Sequence, residues 1–473
     1  MSSLTRLTIE RLAPRLAAVE VSPVEVTDAY LDRIAARDGD LNAFIVVTAD
    51  SARQQARAAE AEIRRGHYRG PLHGIPIALK DLFDVAGLPT TAGSRLFLDN
   101  VAREDAPSVA RLRLAGAVLL GKLNLHEVAY GVTGDSSHFG PVHNPWDTGR
   151  SPGGSSSGSA AAIAAGLCAA ATGTDTGGSI RMPATLCGIV GLKPTYGRVS
   201  KRGIIPLSFS LDHAGPMARS VYDVAVVLQA MSGYDPLDPA SVDRPVPSFT
   251  ADLDRGARGL TIAVDPNYSL VGATADVLDG LRHTLEILRY HGATVIEVSV
   301  PRLRDASRVA LDILNAEASA FHEERLRTRR DEFQPDVASR LELGFQVSGM
   351  AYGRAVEFRA HLIRDFEAVF EQADIFLAPG TAVPAPVRGA AEAVIDGASV
   401  NMCEAIARYT RPFNLLGLPV LAVPSGISGE GLPIGVQLVG RPWDEATLLR
   451  AGRVVEGERP WPSPPEPGNI SAP

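Results

Sequence analysis

GGSSSGSAAAIAAGLCAAATGTDTGGSIRMP, residues 153–183, holds two glycine/serine clusters joined by a nearly uncharged run of small residues. The clusters are GGSSSG at 153–158 and GGS at 177–179. Small residues offer little side-chain burial and glycine costs backbone entropy, so a chain accepts such a stretch where its backbone must approach something closely. Upstream, the apolar, strand-like run GIPIALKD at 74–81 carries Lys80 near its end. Together the segments supply two hydroxyls, one amine and several free backbone N–H groups, the parts of an acyl-transfer site. The alanine-rich run between the clusters reads as a buried helix that sets their separation.

Other readings of the clusters fare worse. A phosphate-binding loop needs G-x-x-x-x-G-K-[ST], and no lysine follows either cluster closely. Residues 154–158 fit the G-x-S-x-G elbow with Ser156 as nucleophile, but that elbow needs a strand just before it. What precedes is NPWDTGRSP at 144–152, a turn-rich stretch unsuited to a central strand. The S-x-x-K pair fails because none of Lys80, Lys122, Lys193 and Lys201 has a serine three residues earlier.

Those four are the only lysines among 46 basic side chains, the rest being arginine. A coding bias accounts for the scarcity, yet Lys80 is where the difference matters most: a buried lysine can give up its proton and an arginine cannot. The 473 residues, 45% hydrophobic and 21% charged, are ordinary globular composition. A net charge of −8 argues against nucleic acid or an anionic membrane as partner. Cys168, Cys187 and Cys403 lack C-x-x-C spacing and read as buried free thiols of a reducing compartment. The start, MSSLTRLTIERL, has no apolar signal core, and the longest small-residue run is too short to span a bilayer, so a cytoplasmic protein is expected.

Residues 1–66 read as a helical segment packing on the core. Ser22-Pro23-Val24-Glu25 is a capping box with proline at the first helical position, and a second helix runs over 49–65. Beyond it, strands at 117–120, 260–264, 294–300, 375–378, 419–423 and 434–439 alternate with helices at 109–115, 221–231, 273–289, 352–370 and 445–456. That alternation predicts a layered α/β sheet. The Asp-Pro-rich segment 233–259 reads as a surface connection within one domain spanning 67–460, and 461–473 as a poorly ordered tail.

The chain resembles the amidase signature family. Residues 153–184 fit that family's signature, including Asp175, Gly177, Ser179, Arg181 and Pro183. GPLHGIP at 70–76, GKLN at 121–124, GLKPTYGR at 191–198 and FNLLGLP at 413–419 resemble it too. The separations of 75 residues from Lys80 to Ser155 and 24 from Ser155 to Ser179 agree with the family's Lys-Ser-Ser spacing. The resemblance implies a three-layer α/β/α sandwich around a large, mixed, twisted sheet. It implies Ser179 as nucleophile, Ser155 after a cis peptide as proton relay, and Lys80 as base, with no metal and no cofactor. Such a base is chemically sound, because a lysine held neutral by burial accepts a proton near pH 7.

Backbone N–H groups of Thr176, Gly177, Gly178 and Ser179 are the expected oxyanion hole. Asp175 and Arg181 flank the nucleophile in a supporting role; Ser156 and Thr174 either hydrogen-bond within the site or cap turns. His73 reads as structural, and His126 as either a specificity residue or neutral. Ser157 replaces a glycine common in the family, with no functional consequence expected.

The family includes hydrolases of aliphatic, aryl, fatty and peptide amides and carbamates, and the glutamine-using subunit of a tRNA-dependent amidotransferase. That subunit's pattern has an aspartate three residues before the threonine of TRPFN; here the position is Ala407, followed by Arg408 and Tyr409. The expectation is a standalone amidohydrolase, monomer or homodimer, acting on a small, largely neutral amide, anilide or carbamate. The glutaminase subunit, and a catalytically idle binding protein on the same fold, are the alternatives. Tyr130, Gly131, Thr133 and Ile204 are expected to border the acyl group, and residues 316–351 to hold specificity helices.

Overall fold

The protein is described by a computed structural model over residues 3–458 and 463–464. Among the described residues there are thirteen strands: β1 (Phe44–Val47), β2 (Pro76–Lys80), β3 (Val118–Leu123), β4 (Ala170–Asp175), β5 (Val190–Lys193), β6 (His213–Ala218), β7 (Thr261–Val264), β8 (Thr294–Glu297), β9 (Ile375–Pro379), β10 (Glu392–Ile395), β11 (Ala398–Asn401), β12 (Val420–Ile427) and β13 (Pro433–Gly440). Eleven form one mixed sheet in the order β1-β3-β2-β4-β6-β5-β12-β13-β9-β7-β8, while β10 and β11 form a separate hairpin. β6 and β7, on either side of the 233–259 connection, belong to the same sheet.

Strand parity shows how the sheet is covered. Leu421 pairs with Leu438, and Ala422 with Gln437, so neighbouring pairs point to opposite faces. Leu421 lies against Gly452 of the helix Glu445–Glu458, whereas Gln437 reaches Arg181 of the helix Arg181–Cys187 on the other side. β4, β12 and β13 are therefore sandwiched between helical layers, which is why they read as continuous small or apolar runs rather than alternating ones. The architecture is the expected three-layer α/β/α sandwich. Among the described residues no helix is long and apolar enough to cross a membrane.

Local signals hold well where they are strong. Ser22 and Glu25 form the reciprocal capping box, and the helix runs Pro23–Leu41. The helix Val221–Met231 has the expected bounds. Three readings change. Residues 1–66 are not wholly helical, because β1 adds an edge strand antiparallel to β3. The alanine-rich run is a helix only over Ser157–Ala164; its second half turns and becomes β4. Alanine has no strand preference of its own, so only the pairing of β4 with β2 and β6 makes it extended. Cys403 is half-buried rather than buried, unlike Cys168 and Cys187. The expectation for 461–473 falls, apart from 463 and 464, outside the described residues.

The helix Ser157–Ala164 is buried along its whole length. Its small residues permit this, and Gly158 is the tightest point: a Cβ there would stand 2.4 Å from the Asn124 carbonyl oxygen and 2.5 Å from that of Ala43. Both obstacles are backbone, which cannot rotate away as a side chain would. Gly158→Ala is expected to destabilise the protein by about 1–3 kcal/mol or to block folding. Urea denaturation of the variant checks this, and an unchanged midpoint would show that the helix can shift.

Candidate active site

β2 and β4 are adjacent and parallel, with Ile77 opposite Ala170 and Ala78 opposite Ala171. Their carboxyl ends therefore lie side by side, the usual place for a site in an open α/β sheet. β2 ends on Lys80 and β4 on Thr174 and Asp175. The Lys80 backbone N–H donates to Thr172 Oγ1 at 3.1 Å, tying the two ends together. The glycine/serine clusters fold onto this edge, and Ser156 N–H donates to the Ser179 carbonyl at 3.2 Å. The peptide between Gly154 and Ser155 is cis, as the resemblance implies.

Lys80 is fully buried, and its Nζ meets Ser155 Oγ at 2.8 Å, Ser156 Oγ at 2.9 Å and Thr174 Oγ1 at 2.8 Å. Among the described residues no carboxylate contacts it. Burial pulls its pKa down to about 7, against the opposing pull of Asp175 and Asp212. A neutral amine donates two hydrogen bonds and accepts one, so three hydroxyls saturate it. Ser156 Oγ donates to the Thr174 carbonyl at 3.3 Å, which leaves it an acceptor towards Lys80. The open choice for Ser156 and Thr174 is thus decided: both lie in the lysine's hydrogen-bonding shell.

The turn bearing Ser179 is built around Asp175. Its carboxylate accepts from the backbone N–H of Gly178 at 2.8 Å and of Ile180 at 3.1 Å, and from Arg181 Nε at 3.0 Å and Nη2 at 2.9 Å. Burial alone would raise the Asp175 pKa; the Arg181 guanidinium, Lys193 and Asn414 outweigh it and hold the carboxyl well below the usual range. Arg181 is itself completed by the Thr410 carbonyl, Gln437 Oε1 and Asn414 Oδ1 at 3.0, 2.8 and 2.6 Å. These partners lie more than two hundred residues away in sequence, and Gln437 had no motif to mark it.

This arrangement corrects one expected oxyanion donor. Gly178 N–H is occupied by Asp175, because a φ of +127° turns that peptide inward. The N–H groups of Thr176, Gly177 and Ser179 have no hydrogen-bond partner among the described residues and remain as donors. Gly178 is required instead for space, since a Cβ there would stand 2.2 Å from Thr410 Oγ1.

Two cavities meet at this turn, sharing Ala129, Thr176 and Leu207. Ser179 lines the smaller, of about 210 Å³, together with Tyr130, Gly131, Leu314 and Leu343. Thr174 lines the larger, of about 680 Å³, together with Ile204 and Asp212. Tyr130 and Gly131 thus line the same cavity as Ser179, and Ile204 lines the other. Thr133 lines neither cavity; its carbonyl accepts from Ser151 Oγ at 2.7 Å and braces the turn before Ser155. Residues 316–351 do reach the site, through Arg340 and Leu343. Charged side chains border both cavities: Arg340 and Arg411 the one that Ser179 lines, and Lys201, Arg202, Asp212 and Asp238 the larger.

His126 is fully buried, and a Cβ on Gly131 would clash with its ring. Gly134 N–H donates to His126 Nδ1 at 3.2 Å, so the Nε2 hydrogen faces Asp336 at 3.4 Å. Burial lowers its pKa, and the ring serves as neutral packing beneath the cavity wall. Asp212 escaped the sequence reading altogether. It accepts from Thr176 Oγ1 at 2.6 Å and from the Leu207 and Ser208 N–H groups, and so holds the wall between the cavities.

Removing Arg181 would leave Asp175 charged, buried and unpaired. Arg181→Met is expected to cost about 3–5 kcal/mol. Chemical denaturation monitored by circular dichroism measures this, and a loss below about 1 kcal/mol would show that the pair is not the turn's anchor.

Comparison with known proteins agrees with this geometry. The sequence profile of the Amidase family matches residues 25–449. An amidase of Pseudomonas putida is 44% identical over 464 residues, covering 98% of both chains. A glutamyl-tRNA(Gln) amidotransferase subunit of Anaeromyxobacter sp. (strain K) is 42% identical over 490 residues, covering 98% of this chain and 99% of its own. A solved, inhibitor-bound structure, described as a vestigial protein complex revealing the evolutionary origins of an s-triazine catabolic enzyme, superposes with a TM-score of 0.92. It is 38% identical and covers 96% of this chain and 98% of its own. The chain belongs to the amidase signature family and is a hydrolase of amide carbon–nitrogen bonds.

Proposed function

We propose that the protein is a standalone amidohydrolase in which Ser179 attacks the amide carbonyl, Ser155 relays the proton, and Lys80 is the base. The observation that carries this reading is the threefold hydroxyl cradle of a fully buried Lys80 whose pKa is pulled down to about 7. In the first step Ser179 Oγ bonds to the carbonyl carbon while its proton passes to Ser155, and the Ser155 proton to Lys80. The oxyanion forms against the free N–H groups of Thr176, Gly177 and Ser179. As the C–N bond breaks, the proton returns from Lys80 through Ser155 to the departing amine. Water then attacks the acyl-enzyme along the same proton path in reverse and releases the acid. Because Thr174 contacts Lys80 and lines the larger cavity, the amine departs on that side and the acyl group occupies the smaller one.

Lys80 acts as base only when neutral, so kcat/KM is expected to rise with pH through about 7 and level off above it. A profile flat across neutral pH would sink the assignment of Lys80. Ser179→Ala is expected to lower kcat/KM on a reactive anilide by at least about 10³-fold. Lys80→Ala should lose activity that strongly alkaline buffer does not restore. Equal rates for wild type and Ser179→Ala would mean another nucleophile.

The 42% identity to an amidotransferase component supports a second reading, that of a glutamine-using subunit. Against it stands Ala407, which lines the Ser179 cavity and offers an incoming ammonium no charge. Glutamine hydrolysis that appears only when a stoichiometric partner chain co-purifies would favour this second reading over the first.

A further inference from the structure

We propose that the acyl part of the substrate ends in a carboxylate, received by Arg411 in the Ser179 cavity. This rests on the amidohydrolase reading above and names its substrate class: the half-amides of short dicarboxylic acids and amides of like charge.

The cavity's polar equipment is one-sided. Among the described residues its lining includes two guanidiniums and no carboxylate. Thr176 donates its hydroxyl to Asp212, and Tyr130 donates its hydroxyl to Asn315 Oδ1, which leaves the Asn315 amide N–H groups as further donors. Arg340 is held by the Tyr130 carbonyl at 2.7 Å and Asp336 at 3.1 Å, so it contributes positive potential more than new hydrogen bonds.

Arg411 is different. It opens the helix Arg411–Leu415, and its stem lies along the catalytic turn: a Cβ on Gly177 would stand 3.4 Å from Arg411 Cγ. Nη1 is engaged by Ser307 Oγ at 3.1 Å and Glu404 Oε2 at 2.8 Å. Nη2 has only a long contact with the Cys403 carbonyl at 3.4 Å, and Nε has no partner among the described residues. Nε and Nη2 carry the parallel N–H pair that matches a carboxylate bidentately. The side chain of Arg411 is 8% exposed and that of Glu404 43%, so the cation lies inside the wall while its counter-ion faces water. Ala407, which lines the same cavity, carries no charge, so an amino-acid amide would leave its ammonium unpaired there. A carboxylate without a neighbouring amine satisfies what the wall presents.

The test compares succinyl para-nitroanilide with isohexanoyl para-nitroanilide, which replaces the carboxylate by an isopropyl group of similar shape. Wild type is expected to prefer the succinyl compound by at least about 10-fold in kcat/KM. Arg411→Gln should collapse that ratio towards one, mainly through a higher KM for the succinyl compound. Glu404→Gln, which frees Arg411 at a half-exposed position, should raise it. A wild-type ratio of one or less overturns the proposal, as does a ratio that Arg411→Gln leaves unchanged. Calorimetric binding of succinate to the Ser179→Ala protein supplies a readout without turnover. Binding that weakens at least about 10-fold in Ser179→Ala/Arg411→Gln supports the carboxylate site, and no binding overturns it. Failure of every amide to turn over, with succinate still bound, would count against the amidohydrolase reading alone.

Discussion

The buried pair of Asp175 and Arg181 is the interaction on which the rest of the site depends. Both side chains are wholly inaccessible, and a charge pair in that position is tolerable only when its remaining donors and acceptors are met. They are met from three directions: the turn that carries Ser179, the helix Arg411–Leu415 through Asn414, and β13 through Gln437. One ion pair therefore joins residues 175–181 to Thr410, Asn414 and Gln437, more than two hundred residues later. It also orients the turn that carries Ser179, since the peptide groups that Asp175 binds are those on either side of Ser179.

Lys80 presents the opposite solution to burial. Where Asp175 keeps its charge by acquiring a partner, Lys80 has hydroxyls around it and no carboxylate in contact, so desolvation moves its pKa instead. The other fully buried lysines underline the contrast. Lys122 lies 2.6 Å from Asp81, and Lys193 bonds backbone carbonyls. In a chain with so few lysines, three occupy the interior, and of these only Lys80 has three hydroxyl partners among the described residues.

Much of the site was legible because its parts are local. The serines, the glycines of the turn and the capping box at Ser22 declare themselves through residue type and spacing. What was missed shares a physical cause. β4, β5 and β6 are made of Ala, Gly, Thr and Pro as much as of β-branched residues, so their extended form comes from neighbours on both sides rather than from propensity. Asp212 and Gln437 sit in no motif, Arg411 stands in TRPFN with no role read for it, and all three acquire meaning only from what they face. Gly178 has the sequence position of an oxyanion donor, but its peptide points the other way because Asp175 lies beneath.

The sequence by itself determined the chemistry: which hydroxyls and which amine are present, how far apart along the chain they lie, and that small residues must surround them. These are properties of residue identity and order, and folding does not alter them. Only the tertiary structure decided which N–H groups remain free, which residues line each cavity, and that Arg340 and Arg411 border the one that Ser179 lines. Those facts depend on the direction of individual peptides and on side chains contributed from remote segments, and direction is set by packing across the sheet.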